Sequence, residues 1–242
     1  MSDVCMIVAR YEENLKWLDF LPKNIKVIIY NKGKDITEPK YLNNPNITIH
    51  NKCNNTGRES ETYLRYIISN YNNLPDIIIF TQGYPLDHAP NFSHLCYLIA
   101  NDEMASDILP MTVRWNHEIP PPLTYEHLTT PYLIEKASRY TLCPLTHWDE
   151  GVHGIHYDYI NLHELQNGTD VIHHFCGLIN LPDHNYGQSD LFEFFYCGIF
   201  AVKKEAILKH SYDFYFNCHS INSKNTVYGY LFERIWYTMF TV

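Results

Sequence analysis

A series of short apolar runs, separated by segments with helical spacing, constrains the fold of this chain more than any other feature. The runs cover residues 4–9, 26–30, 47–50, 76–80, 108–113 and 196–202. Apolar and β-branched runs of this length are typical of strands that are buried on both faces of a sheet. Residues 57–71 repeat apolar side chains at helical spacing, and residues 92–105 predict a second helix. Strands that alternate with helices predict an α/β fold with a mainly parallel, Rossmann-like central sheet.

Other segments predict where the first long helix begins, which helices end the chain and where the regular pattern is lost. Thr56 and Glu59 have the spacing of a capping box, which predicts a helix that begins near Gly57. Residues 203–210 and 228–240 predict two closing helices. Residues 114–190 lose this periodicity and are rich in proline, histidine and aromatic residues. We interpret that stretch as a long irregular insertion with a functional role, and short helices hidden within it are the alternative.

Length and charge restrict the class of protein. The chain has 242 residues, which fits one large domain over 1–242. Eighteen basic and 27 acidic side chains leave a net charge of −9, which opposes attraction to a nucleic acid polymer but allows a small anionic ligand. No apolar run approaches the roughly 20 residues that span a bilayer. The seven scattered cysteines and the absence of a signal-peptide pattern predict a cytoplasmic protein with reduced thiols.

Polar residues follow the predicted strands, at the edge of a parallel sheet where α/β proteins bind ligands. The candidate substrate-binding residues at this edge are Arg10, Tyr11, Asn31, Lys32, Gly57, Arg58, Gln82, Gly83 and His88. The helix start at Gly57 and Arg58 would offer amide donors and the positive end of the helix dipole to a phosphate. The alternative is that Arg58 is an ordinary surface residue.

Two carboxylates are candidate proton acceptors. Asp87 follows the fourth strand and is a candidate base or metal ligand, although it could equally cap a helix that begins near Pro90. Glu233 lies in the final helix beside Arg234, which is a further candidate substrate-binding residue, and an exposed ion pair without a catalytic role is the alternative. Glu59 fits a capping role better than a catalytic one.

The histidines suggest a metal site, and His153, His156 and Asp158 form the tightest cluster, with His173 and His174 as distant partners. This spacing is not specific for zinc, and ordinary histidines are the alternative. The sequence contains no P-loop, no Gly-x-Gly-x-x-Gly and no Gly-x-Ser-x-Gly motif, so a P-loop NTPase, a dinucleotide-binding dehydrogenase and a covalent hydrolase are disfavoured.

Several motifs occur together in one order along the chain. They are residues 10–13 (Arg-Tyr-x-Glu), 30–33 (Tyr-Asn-Lys-Gly), 57–63 (Gly-Arg-Glu-Ser-x-Thr-Tyr), 82–88 (Gln-Gly-x-Pro-x-Asp-His), 196–202 (Tyr-Cys-Gly-x-Phe-Ala-Val) and 233–236 (Glu-Arg-x-Trp). This set resembles a largely uncharacterised family of glycosyltransferase-like proteins found in fungi, bacteria and large DNA viruses. The resemblance implies a GT-A type domain. Its nucleotide-sugar-binding half would be residues 1–113, its acceptor side residues 114–190, and its closing strand and helices residues 191–242.

The activity that this resemblance implies is transfer of a sugar from a nucleotide-sugar donor to a hydroxyl of a glycan or another acceptor. Asp87 or Glu233 would be the base of an inverting reaction. The chain lacks the Asp-x-Asp motif of many GT-A enzymes. Asp87 would therefore be a single ligand for Mn²⁺ or Mg²⁺, or Arg10, Lys32 and Arg58 would replace the metal at the diphosphate.

Two other functions stay open at this point. One is a nucleotide- or carbohydrate-binding module of the same fold without turnover, and the other is a metal-dependent hydrolase that uses His153, His156 and Asp158. The richness in Asn, Ile and Tyr is typical of AT-rich coding sequences and suggests a viral source, hence a location in the host cytoplasm.

Overall fold

The structure is a computed structural model that describes residues 2–112, 142–144, 148, 153–181 and 193–241. Its main sheet contains β1 (Val4–Arg10), β2 (Lys26–Asn31), β3 (Ile47–His50), β4 (Ile77–Gln82), β5 (Ile108–Pro110) and β8 (Phe200–Lys203). The spatial order is β3-β2-β1-β4-β8-β5. The first four strands are mutually parallel, and β8 runs antiparallel to both β4 and β5. The fold is therefore α/β with a mainly parallel six-stranded sheet, as predicted.

The remaining elements surround this sheet or lie beside it. The helices are α1 (Pro39–Leu42), α2 (Arg58–Asn70), α3 (Phe92–Ala100), α4 (His153–Leu162), α5 (Val171–Leu178), α6 (Lys204–Ile207), α7 (Tyr212–Asn222) and α8 (Val227–Thr241). Short 3-10 helices cover Lys16–Phe20, Tyr71–Asn73, Pro85–Asp87 and Tyr196–Gly198. Two strands, β6 (Leu142–Pro144) and β7 (Glu193–Phe195), pair antiparallel in a second sheet.

The apolar run of β1 supplies both faces of the sheet because successive side chains of a strand point in opposite directions. Ile7 joins the core that α2 and α8 cover, and Met6 and Val8 join the core on the opposite face with α3. All three side chains are fully buried. This explains why the first run is continuously apolar instead of alternating with polar residues.

The crossing of α8 over α2 depends on a glycine. A β-carbon on Gly229 would lie only 3.0 Å from the carbonyl oxygen of Gly57 and 3.1 Å from Cβ of Arg58. Ser60 Oγ donates a hydrogen bond to the carbonyl oxygen of Gly229 at 3.1 Å, and it ties the two helices at this crossing. The start of α2 is thereby held against the first turn of α8.

Most strand predictions are confirmed, and the differences lie at element ends. The capping box is wrong: α2 is preceded by Gly57 in the left-handed conformation (φ 60°), and no side chain caps it. The predicted strand over 196–202 begins only at Phe200, because Cys197 (φ 65°) and Gly198 (φ 54°) form a left-handed turn that no strand can include. The predicted helices over 92–105 and 203–210 are shorter, since α3 ends at Ala100 and α6 at Ile207.

Part of the predicted irregular insertion is regular. Within residues 114–190, α4 and α5 are helices, and Asp170 caps α5 by accepting a hydrogen bond from the backbone N–H of His173 at 3.0 Å. Alternating histidines and aromatics obscured this helical pattern in the sequence. The predicted strand over 108–113 ends at Pro110 in the structure, and its last position, 113, lies outside the described residues, as do positions 114–141, 145–147, 149–152 and 182–190 of the insertion. No helix in the described part of the chain is long and apolar enough to cross a membrane.

Candidate functional site

The carboxyl ends of β1 and β2 open onto a polar cleft of about 310 Å³. It is lined by Ala9, Arg10, Tyr11, Glu13, Lys32, Asn55, Arg58, Glu59 and Thr226. From β1 the chain builds β2 and β3 on one side and then crosses to β4 on the other. Ligands of α/β proteins bind at such a reversal of strand order, so the cleft occupies the expected position. Of the predicted residues, the fold brings Arg10, Tyr11, Lys32 and Arg58 together there.

Arg10 organises the loops that form the cleft wall. Its Nε donates to the carbonyl oxygen of Glu13 at 2.9 Å, and its Nη1 donates to Oδ1 of Asn31 at 2.6 Å. Nη1 also lies 3.2 Å from the carbonyl oxygen of Lys34. Within the described chain, Nη2 is the part of this guanidinium group that donates no hydrogen bond. Only that edge of Arg10 is therefore available to a ligand.

Asn31 lies beneath the cleft and has a structural role. It is fully buried, and its Nδ2 donates to the carbonyl oxygen of Lys34 and to Oδ1 of Asn51, both at 2.8 Å. Its Oδ1 accepts from Arg10. These contacts use the side-chain amide within the protein, and the prediction that Asn31 binds substrate finds no support in this geometry.

Lys32 belongs to a buried ion cluster centred on Glu61. Its Nζ donates to the carbonyl oxygens of Arg58 at 2.6 Å and Thr56 at 3.3 Å, and it lies 3.3 Å from Oε2 of Glu61. The side chain is only 4% exposed. An ammonium group has three donors, and these three acceptors occupy them. Lys32 thus holds the start of α2, and its predicted contact with a diphosphate is not supported by this geometry.

Glu61 has two further side-chain partners. Arg65 donates from Nε at 2.7 Å and also from Nη2 to Oε1, and His219 Nε2 donates to the same oxygen at 3.2 Å. Burial by itself would raise the pKa of Glu61, but the His219 hydrogen bond and the charges of Lys32 and Arg65 outweigh it and lower the pKa to about 2. Glu61 is therefore an ionised structural carboxylate.

Arg58 is a second cation of the cleft that remains partly accessible, after Arg10. Its side chain is 38% exposed, and its guanidinium carbon lies 4.1 Å from the centre of the Tyr230 ring. Nη1 donates to the Tyr230 hydroxyl at 2.5 Å, and Nε forms an ion pair with Glu59 at 3.4 Å. Arg58 also has a left-handed backbone (φ 54°), directly after Gly57. Such strain in a residue with a β-carbon is concentrated at functional sites.

Gly57 supports this arrangement through its backbone. Its carbonyl oxygen accepts a hydrogen bond from Nδ2 of Asn222 at 3.0 Å, and a β-carbon at this position would lie 2.7 Å from the same nitrogen. The glycine is therefore required by the close approach of α7 and by its positive φ. Its role as a phosphate-binding residue stays a prediction.

The loop after β4 lies apart from the cleft lining. Gln82 Nε2 donates to the carbonyl oxygen of Tyr84 at 3.0 Å. Gly83 lacks a side chain because a β-carbon there would lie 2.2 Å from Oε2 of Glu13, so it accommodates a protein carboxylate. Asp87 is exposed on a 3-10 helix, and His88 is half-buried beside it. None of these four residues lines the cleft.

Glu233 is partly buried in α8 and lies close enough to Arg58 and Glu59 for their charges to affect its pKa. Its Oε1 accepts a hydrogen bond from the backbone N–H of Cys197 at 2.6 Å. Burial raises the pKa of Glu233 to about 7, with a further contribution from Glu59 and against the effects of Cys197, Arg58 and Arg234. A carboxylate with this pKa exchanges protons readily at neutral pH.

Arg234 is not the exposed partner of Glu233 that the sequence allowed. It is 3% exposed, and its guanidinium carbon lies 3.9 Å from the centre of the Trp148 ring and 4.4 Å from that of Phe194. This cation–π sandwich explains the burial of a charged residue in an apolar layer. Arg234 influences the site through its charge, and the geometry gives no support for direct substrate binding.

The histidine cluster does not assemble three ligands. His153 and Asp158 are exposed, and the rings of His153 and His156 are 6.4 Å apart along α4. His174 instead pairs with His163, with ring centres 5.1 Å apart, and its Nδ1 is 2.8 Å from the hydroxyl of Tyr159. Among the described residues, no group of three or more His, Cys, Asp or Glu side chains is arranged to hold a metal ion.

Sequence reasoning missed Glu61, Tyr63, Cys197 and Tyr230. Glu61 lies two positions after Glu59, on a different side of α2, and an acidic residue in a first helical turn is usually explained by the dipole alone. Cys197 precedes Gly198, and this Cys-Gly pair was the one available signal of a turn within an apolar run. Tyr230 had no distinguishing signal.

Residues 6–104 match the model of a family described as a protein of unknown function (DUF3431). The matched part contains most of β1, all of β2 to β4 and α2, and all residues that line the cleft except Thr226. No curated protein matches this chain. No solved structure matches it either.

Proposed function

We propose that this protein is a GT-A type glycosyltransferase that binds the diphosphate of a nucleotide sugar in the cleft and transfers the sugar to an acceptor hydroxyl. The single observation that carries the proposal is the position of Arg58. It lines the cleft at the carboxyl edge of the parallel strands, and its charge also acts on Glu233. A site of this kind can hold an anionic leaving group and a proton acceptor close together.

Two arginines account for diphosphate binding in this proposal. Arg58 would approach the phosphates from the start of α2, where the helix dipole adds a positive potential, and Nη2 of Arg10 would approach from the end of β1. Guanidinium groups form bidentate hydrogen bonds with phosphate oxygens. They would stabilise the nucleoside diphosphate as it leaves.

Glu233 suits the role of general base better than Asp87. Neither residue is in the cleft lining. The pKa of Glu233 is raised to about 7 and the charges of the lining residues Arg58 and Glu59 act on it, whereas Asp87 is exposed. In an inverting transfer the acceptor oxygen forms a bond to the anomeric carbon and the bond from that carbon to the diphosphate oxygen breaks. The hydroxyl proton goes to the Glu233 carboxylate, and the nucleoside diphosphate leaves with the electron pair.

The proposed transfer could use Mn²⁺ or Mg²⁺ at the diphosphate. A thermal-shift screen tests this by comparing nucleotide binding with and without Mn²⁺. Asp87 is the only carboxylate that the sequence suggested as a ligand for Mn²⁺ or Mg²⁺ at the diphosphate, and hard cations of this kind favour several oxygen ligands. The proposed transfer therefore relies on the arginines for charge neutralisation, with metal dependence as a measured outcome.

The test is a thermal-shift screen of UDP, GDP, dTDP and their sugars, with and without Mn²⁺, because a ligand that binds the folded state raises its melting temperature. We expect one nucleotide series to stabilise the protein. In calorimetry, Arg58→Ala should weaken that binding by about 10- to 100-fold, the loss of a charge-assisted contact. Lys40→Ala is the control, since Lys40 pairs with Asp19 away from the cleft.

Two outcomes would contradict the proposal. If no nucleotide stabilises the protein, or if Arg58→Ala binds as tightly as the wild type, the cleft is not a donor site. If a nucleotide sugar binds but is neither hydrolysed nor transferred, and Glu233→Gln binds it equally well, a binding module without turnover explains the protein better.

A further inference from the structure

Two buried donors beside Glu233 have no hydrogen-bond partner among the described residues: the Tyr63 hydroxyl and Nε1 of Trp236. Both side chains are only 1% exposed. Buried polar groups are almost always hydrogen-bonded, so each exception requires an explanation. The ring centres of Tyr63 and Trp236 are 6.1 Å apart. This proximity indicates one shared reason why both donors lack a partner.

The rings of Tyr63 and Trp236 both lie against the Cys197–Gly198 turn. A β-carbon on Gly198 would lie 3.9 Å from Nε1 of Trp236 and 3.9 Å from Cε2 of Tyr63, with no atom nearer. The glycine therefore leaves space for about one carbon-sized atom between the turn and the two rings.

The turn itself is held by the candidate base. Cys197 has a left-handed backbone, which costs a residue with a β-carbon conformational energy, and its N–H donates to Oε1 of Glu233. Relaxation of Cys197 would release that strain, and the turn is adjacent to the Tyr63 and Trp236 rings. Opening of this turn is therefore the movement that a ligand would need in order to reach the two donors.

The charges around Glu233 specify the kind of ligand. Two carboxylates, Glu59 and Glu233, are balanced by two guanidinium groups, Arg58 and Arg234. A further buried charge would lack a counter-ion and would be costly, so the surroundings favour an uncharged molecule. Burial and the nearby carboxylates raise the pKa of Tyr63 well above its ordinary value, so its hydroxyl stays protonated and donates.

We propose that Tyr63 and Trp236 form, with Glu233, the acceptor subsite of the protein, and that it binds a neutral sugar ring when the Cys197–Gly198 turn opens. This inference rests on the proposed function. Two ring oxygens or hydroxyls would accept from Tyr63 and Trp236, and the reacting hydroxyl would donate to Glu233. Apolar walls with a few convergent polar atoms are typical of small-molecule sites.

The first experiment observes the indole N–H of Trp236 directly. The protein has four tryptophans, so a ¹⁵N-indole spectrum contains few signals, and Trp236→Phe or contacts to the Tyr63 ring assign the relevant one. Methyl glycosides of glucose, galactose, mannose and N-acetylglucosamine are titrated with and without UDP, GDP or dTDP. We expect at least one glycoside to shift the Trp236 signal. Trp17 is the internal control, because its Nε1 already donates to the carbonyl oxygen of Gly83 at 2.9 Å.

The second experiment compares two tyrosine hydroxyls. Tyr63→Phe should weaken binding of the active glycoside about tenfold, the cost of one lost hydrogen bond, without lowering the melting temperature. Tyr215→Phe is the matched control, because that buried hydroxyl donates to the carbonyl oxygen of Ile207 at 2.8 Å. It should lower the melting temperature and leave glycoside binding unchanged. A purely structural role for Tyr63 would give the opposite pattern.

The outcomes separate this inference from the function on which it rests. A Trp236 signal that no glycoside shifts, or unchanged glycoside affinity in Tyr63→Phe, overturns the acceptor subsite even where nucleotides bind the cleft. Failure of every nucleotide to bind overturns the proposed function, while glycoside binding at Trp236 would still establish a neutral sugar site.

Discussion

Glu61 and Glu233 are carboxylates on helices that cross each other, Glu61 buried and Glu233 half-buried, and they have opposite properties. Glu61 accepts hydrogen bonds from Arg65 and His219 and pairs with Lys32, and its pKa is about 2. Glu233 accepts from the backbone N–H of Cys197, and its pKa is about 7. Burial raises the pKa of both groups, and the hydrogen bonds and nearby charges outweigh burial only at Glu61.

The comparison separates a structural cluster from a reactive one. The partners of Glu61 come from the loop directly after β2, from α2 and from α7, and they fix the start of α2, where Arg58 is located. The surroundings of Glu233 contain unpaired donors and a strained turn, both of which cost stability. Glu61, with its full set of hydrogen-bond and ion-pair partners, holds the start of α2 at the cleft. Glu233 accepts fewer hydrogen bonds and can exchange a proton close to Arg58.

The largest expected effect follows from removal of the Glu61 charge. Glu61→Gln leaves Lys32 buried without its carboxylate, which should reduce the free energy of unfolding by about 3–5 kcal/mol. Urea unfolding at pH 7 measures it. The control is Glu59→Gln, whose side chain is 31% exposed and which should change stability by about 0–1 kcal/mol. Equal effects in the two variants would contradict the structural role of Glu61.

The free energy of unfolding should depend on pH in two ranges, an acidic arm below pH 4.5 and an upper arm between pH 4.5 and 7. The pKa of Glu61 is lower in the folded state, so its contribution is present above its ordinary pKa of 4.5 and is lost as the pH falls toward 2. The pKa of Glu233 is higher in the folded state, so the folded protein binds more protons between pH 4.5 and 7. Stability should therefore decrease by about 3 kcal/mol as the pH rises through that second range.

Glu233→Gln isolates the upper arm, because glutamine accepts the Cys197 hydrogen bond and does not titrate. Urea unfolding between pH 2 and 8 should show a smaller decrease from pH 4.5 to 7 in this variant than in the wild type, while the loss of stability below pH 4.5 stays the same. A wild type with no decrease through this range would mean that Glu233 is solvated like an ordinary glutamate.

A smaller effect is expected at the crossing that holds the two helices together. In Gly229→Ala the new β-carbon would lie 3.0 Å from the Gly57 carbonyl oxygen, and the overpacking should cost about 1–3 kcal/mol. Gly177→Ala is the matched control in α5, where no atom lies within 4 Å of the added carbon, and it should be neutral or stabilising. Equal melting temperatures for the two variants would show that the crossing tolerates a wider separation.

The sequence predicts the sheet well because each buried strand is a continuous apolar run. The runs before Arg10 and Lys32 have no competing interpretation, and the parallel arrangement brings both residues to one edge. Local spacing also predicts α2 and α8, whose apolar faces repeat over more than three turns. These elements depend on short-range patterns that a single sequence contains.

The chemical state of the side chains depends on contacts between distant parts of the chain. Lys32 and Glu61 are 29 positions apart, and His219 joins them from α7, which the sequence did not predict. The same limit applies to Arg234, whose aromatic partners Trp148 and Phe194 come from different segments. In the sequence, a lysine or arginine that follows a strand therefore suggests a ligand site. The structure is needed to show whether acceptors within the protein already occupy its donors.

The most direct test of the account is a ¹³C NMR titration of the Glu61 and Glu233 carboxyl groups, assigned with Glu61→Gln and Glu233→Gln, with and without the nucleoside diphosphate that binds. The account predicts a Glu233 midpoint near pH 7 that moves higher when the anionic ligand occupies the cleft beside Arg58, and a Glu61 carboxyl that stays ionised down to about pH 2. Similar midpoints near 4.5 for both groups, or a Glu233 midpoint that ignores the bound ligand, would contradict it.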